Sequence, residues 1–126
     1  MVDEKINIFR TILALADTTL EGVEHIHRRT MEGRFEETAA LFTDVADSFH
    51  EIKRALHVYY PDYTDSALNL IDRKVVKGMQ LLLSAYEGDA DVRPLVVLQF
   101  SLVPGFRRWL EALQEELNGL CAPAMN

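Results

Sequence analysis

Apolar side chains return every third or fourth residue along four successive stretches of this chain, a period that confines each stretch to an α-helix with one greasy face. The first stretch carries Ile6, Phe9, Leu13, Ala16, Leu20, Val23, His27 and Thr30. The second carries Phe35, Thr38, Phe42, Val45, Phe49, Ile52, Leu56 and Tyr59, and only Thr38 among them is neither apolar nor aromatic. The third runs Leu68, Ile71, Val75, Gly78, Leu82, Ala85. The fourth runs Val92, Leu95, Gln99, Val103, Phe106, Leu110, Leu113, Leu117, Leu120.

Punctuation between the stretches agrees with that division. Gly33 suits the residue just past a helix, where a left-handed backbone costs glycine nothing. Pro61 has no N–H to continue the second helix, and it restricts the residue before it. Tyr63-Thr64-Asp65-Ser66 offers an N-cap to the third helix, and Gly88 closes it. Asp89 or Asp91 is the expected cap of the fourth, with Pro94 in its first turn. Links this short make successive helices antiparallel neighbours. The expected fold is all-α, an antiparallel up-down four-helix bundle, with residues 1–126 as one domain. Pro104-Gly105 falls inside the fourth stretch. Proline there removes a backbone bond and presses on the carbonyl of Phe100, so the last helix is expected to be kinked or broken. The run Leu95-Val96-Val97-Leu98 looks strand-like, but a lone strand has nothing to pair with.

Charge and composition exclude several function classes. A net charge of −7 opposes non-specific nucleic-acid binding, which needs clustered cations. The basic pairs Arg28-Arg29, Lys53-Arg54, Arg73-Lys74 and Arg107-Arg108 fall on different helices among acids, and read as solvated faces. The longest uncharged run, between Arg93 and Arg107, is shorter than the roughly 20 residues that span a bilayer. The start, Met1-Val2-Asp3-Glu4-Lys5, lacks the basic and apolar regions of a secretory signal. The lone Cys121 has no intramolecular partner, which suits a reducing compartment. The expected address is cytoplasmic.

Catalytic chemistry finds little footing. Glu24-x-x-His27 and Asp47-x-x-His50 resemble the paired motifs of di-iron bundles. In a hairpin turning at Gly33, however, His27 lies about 9 Å from the turn and His50 about 25 Å, in different layers. Cys121 has no neighbouring histidine or cation to lower its pKa. No serine stands in a glycine-flanked elbow, and no glycine-rich loop cradles phosphate. No metal, cofactor or enzymatic activity is expected.

Two places break the pattern of a plain bundle. His27, Thr30, Thr38 and Gln99 all occupy stripe positions, and the topology sends them toward the end carrying the Gly33 and Gly88 turns. They form either a buried polar network that fixes helix register or a small polar ligand pocket in which His27 exchanges a proton. The first half of helix four is apolar nearly all round, exposing Val96 or Val97, Phe100 and Trp109 unless a tilted neighbour covers them. A second copy or a client helix is the expected occupant. Three tyrosines in Tyr59-Tyr60-Pro61-Asp62-Tyr63 either form a further interface or plug the end of the core.

The stretch Met31-Glu32-Gly33-Arg34-Phe35-Glu36-Glu37, joining two long helices, resembles small uncharacterised bacterial helical proteins. More distantly, the two helices with Ala55-Leu56 look like the flagellar export chaperones, acidic bundles that hold a client's helices. Those chaperones imply an uninterrupted last helix, from which Pro104-Gly105 departs. The resemblance and the apolar flank together predict a non-enzymatic interaction module, a small chaperone or adaptor that forms a homodimer through helix four. The alternative is a bundle binding a small ligand or metal near His27, and acting as an enzyme there.

Overall fold

The structure, a computed structural model, describes residues 2–121, with side chains over residues 4–119. The described residues form four helices: α1 is Val2–Met31, α2 is Ala39–Tyr59 and α3 is Ala67–Tyr86. The fourth, α4, is three joined stretches: α-helical Pro94–Val97, π-helical Leu98–Leu102 and α-helical Val103–Cys121. Short 3₁₀ turns, Phe35–Thr38 and Tyr63–Asp65, precede α2 and α3. There is no strand among the described residues.

The two glycine turns are built alike. Gly33 and Gly88 have φ of 77° and 92°, the left-handed region in which any other residue meets its own carbonyl. Each lets the residue after it bond back five positions: Arg34 N–H donates to Arg29 O at 2.8 Å, and Asp89 N–H to Ser84 O at 3.0 Å. These bonds satisfy the last carbonyls of α1 and α3. At the other end Pro61 stops α2, and the Ser66 hydroxyl caps α3 by accepting from Asn69 N–H at 3.3 Å. The expected cap on α4 is not used. Arg93 takes the cap position without a side-chain bond, Pro94 opens the helix, and Asp89 Oδ1 accepts from Asp91 N–H within the loop.

Cross-chain pairs fix the up-down order. A Cβ on Gly78 would touch Leu102, and one on Gly105 would touch Val75, so α3 and α4 run antiparallel. Gly22 likewise faces Val45 across α1 and α2. Thr38 and Tyr86 share a hydrogen bond of 2.7 Å, which joins the start of α2 to the end of α3. Tyr60 donates to Glu116 at 2.7 Å, so α2 and α4 finish at the same end. α1 packs along both α2 and α4, whereas α2 and α3 stand further apart and meet through aromatic rings.

The core follows the sequence stripes with two differences. Along α2, Thr38, Phe42, Val45, Phe49, Ile52 and Leu56 are all buried, and Tyr59 lies outside. Along α1 the buried line is Phe9, Ile12, Ala16, Thr19, Val23 and Ile26, while Leu13, Leu20 and His27 sit at its edge. Thr19 is tolerated inside because its hydroxyl donates to Leu15 O at 2.7 Å.

Candidate functional site

Pro104 shapes the start of α4. It cannot donate, and an α-turn would drive its ring into the carbonyl of Phe100. The chain absorbs this one turn earlier by widening: Val103 N–H donates to Leu98 O, five residues back. The helix is therefore neither broken nor frayed; its period lengthens. Downstream the 3-4 stripe holds, with Val103, Phe106, Leu110, Leu113 and Leu117 buried. Upstream the buried positions are Leu102 with Val97 and Val103 with Leu98, each pair five apart.

That longer period decides which side chains face out. Phe100 is 73% exposed, Val96 48% and Leu95 38%. Two residues expected on this flank are elsewhere: Val97 is turned into the bundle by the wide turn, and Trp109 is fully buried. Trp109 packs against Phe49 at 5.2 Å and Phe106 at 5.4 Å between ring centres, in the middle of the core. Gln99, expected inside, is exposed for the same reason that Val97 is not.

The Trp109 indole borders the most unusual polar group in the molecule. Asp72 on α3 is completely buried. Tyr63 OH donates to its Oδ2. Asp72 Oδ1 and Trp109 Nε1 are both buried without a partner at hydrogen-bonding geometry. Burial pushes the Asp72 pKa up to about 7, although the positive charge of Lys53 on α2 and the nearby Trp109 N–H pull the other way. His57 stands edge-on to the Tyr63 ring at 4.7 Å, so side chains from α2, α4 and the 3₁₀ turn gather around a carboxyl carried on α3. Drawn through Ile71, the third stripe leaves Asp72 off it and α3 without an inward acid. The structure corrects this: Asp72, four residues after Leu68 and three before Val75, fits the same period and is buried, while Ile71 is only half-buried. Asp72 presents no surface to solvent, so the cluster can hold or release a proton but offers a substrate no open face. Tyr63 is buried as the end of the core, and Tyr60, whose hydrogen bond to Glu116 pushes its phenol up to about 12, closes the same end.

The expected polar quartet does not assemble. Thr30 donates to Ile26 O at 2.7 Å within its own helix. Thr38 bonds Tyr86, whose ring stacks on Phe35 at 4.1 Å and whose phenol is raised by burial. His27 Nε2 is buried with no partner. None of the three bonds another, and Gln99 has left the group. Among the described residues no three His, Cys, Asp or Glu side chains come together to hold a metal. The side chain of Cys121 lies outside the described residues. No helix among them is long and apolar enough to cross a membrane.

A family model, that of a domain of unknown function (DUF8042), matches residues 7–112, from the first turns of α1 to beyond Trp109. No curated protein and no solved structure matches the chain.

Proposed function

The chain belongs to this family of unknown function, and from its geometry we propose that it is a non-enzymatic protein-interaction module, a small chaperone or adaptor of the cytoplasm that self-associates through helix four. The observation that carries the reading is Phe100, 73% exposed with Val96 one turn before it. A phenyl ring in water forgoes a few kcal/mol of burial, and here it stands on a rigid helix beside further apolar surface. A second copy suits the flank because two-fold symmetry sets a patch against itself. Between Arg93 and Arg107 the flank carries no charge, so two copies of a chain of net charge −7 can meet there without opposing like charges. Leu95, Val96 and Phe100 alone fall short of the roughly 800 Å² per partner of a standard interface, which supports a weak, exchangeable dimer of the kind a client helix displaces.

The test is sedimentation over a concentration series. A dimer with a dissociation constant on the order of micromolar or weaker is expected, and Phe100→Glu leaves only monomer. A wild type that stays monomeric up to about 1 mM overturns the reading.

The orphaned His27 Nε2 favours a second reading, a small ligand or metal bound beside it and an enzymatic role there. Metal analysis of the purified protein and a thermal-shift screen separate the two. A stoichiometric metal, or a shift of several degrees with one metabolite and no self-association, selects the second.

A further inference from the structure

Antiparallel packing of α3 on α4 brings together cations that are far apart in the chain. Arg73, Lys74 and Lys77 from α3 and Arg108 from α4 line one groove of about 550 Å³, over a floor of Ala67, Leu70 and Ile71. No acidic side chain lines it. Acids outnumber bases in this chain by 20 to 13, so a cation has carboxylates to spare as partners. Arg29, Arg34, Arg54 and even Arg107, next to the groove, each find one. Arg107 turns away to Glu24 on α1 at 2.9 Å. Among the described residues, the four groove cations pair with none. The groove also starts at the first residue of α3, where the helix dipole adds partial positive charge.

Below that rim the surface is apolar. Leu70 is 61% exposed and Ile71 half-buried. From Ala67 to Lys77 the groove extends about 15 Å, roughly three turns of an α-helix. We propose that this groove binds an acidic amphipathic helix of a partner protein, with its apolar residues on Leu70 and Ile71 and its carboxylates against Arg73, Lys74, Lys77 and Arg108. The charge is complementary, and the greasy floor needs a ligand with an apolar face. A free phosphate compound leaves Leu70 unused, and the groove has no buried donor to fix one. A nucleic acid carries its charge past the groove and over a molecule of net charge −7, which repels it. A short acidic segment confines its charge to the groove. The inference goes beyond self-association through the Phe100 flank and does not depend on it.

The test uses anisotropy of a labelled peptide of roughly 15 residues, with Leu at helical 3-4 spacing and Glu elsewhere, on the full chain. Wild type is expected to bind in the micromolar range, about tenfold more weakly when salt rises from 50 to 200 mM. The double variant Lys74→Glu/Arg108→Glu loses at least tenfold and Leu70→Ser several-fold, while Phe100→Glu binds as wild type. All four positions are exposed, so unchanged circular dichroism is expected and separates lost binding from lost folding. Equal binding by wild type and the double variant overturns the proposal, as does no saturable binding up to about 1 mM. So does displacement of the peptide by inorganic polyphosphate when Leu70→Ser is silent, because the site then reads charge alone.

Discussion

The two halves of α4 have opposite fates, and the uncharged, more apolar half before Pro104 is the one left partly in solvent. After Pro104, Phe106, Trp109, Leu110, Leu113 and Leu117 all lie in the core. Before it, Val97, Leu98 and Leu102 are inside while Leu95, Val96 and Phe100 meet solvent. The second half is greasy because the bundle needs it. The first half has more apolar surface than one neighbouring helix can cover, and the π-turn, not composition, selects the residues left outside. An apolar segment therefore identifies an interaction face only after its period is known.

The widest difference between the halves is expected at Trp109. Replacing it with Ala removes the centre of the aromatic cluster and is expected to cost about 3–5 kcal/mol in urea denaturation. A loss under about 1 kcal/mol would mean that the second half is not the structural half.

The next effect is read by pH. Asp72 touches the same half, and its pKa is about 7 in the fold against about 4 in an unfolded chain. Between those values the fold holds a proton that the unfolded chain has lost. Stability therefore falls from about pH 4 to about pH 7 and levels off above, by at most on the order of 4 kcal/mol. Thermal melts of wild type should show this slope, and Asp72→Asn should flatten it. A variant melting with the wild-type slope places the proton elsewhere.

A smaller effect belongs to the first half. A Cβ at Gly78 would stand 2.9 Å from Leu102 Cδ2 and 3.1 Å from Ser101 Oγ, so α3 rests directly on the π-turn. Gly78→Ala is expected to destabilise by about 1 kcal/mol, because the clash exceeds what alanine gains in helix propensity. A stabilised variant would show that the turn yields easily.

Phe100→Glu is the smallest in stability, within about 0.5 kcal/mol by denaturant melt, although it removes self-association. A large loss would show Phe100 to be structural and dissolve the contrast.

The sequence alone is sufficient where local rules act by themselves. Gly33, Pro61 and Ser66 mark their boundaries through backbone geometry, and the α2 stripe keeps one period from Thr38 to Leu56. It failed in α4 upstream of Pro104, because counting back in threes and fours from Val103 lands on Gln99 and Leu95, whereas the wide turn needs steps of five. Val97 and Gln99 were misplaced by that count. Trp109, downstream of the proline, is left out by a stripe drawn through Leu110, although it stands three residues after Phe106 and four before Leu113. Asp72 was missed for a different reason: the stripe runs through its apolar neighbour Ile71, although a step of four from Leu68 and three to Val75 admits Asp72 equally. The groove cations cannot be found by any period, since Arg73, Lys74 and Arg108 meet only through the packing of α3 on α4.

The carboxyl beneath Tyr63 ties unravelling of the chain to its buffer. At pH 6 each molecule that denatures liberates a hydrogen ion, which the surrounding base must take up. Calorimetric heats should therefore differ between phosphate and imidazole solutions by about one proton's worth of the difference between the two buffers' protonation enthalpies, while the free energy is the same in both.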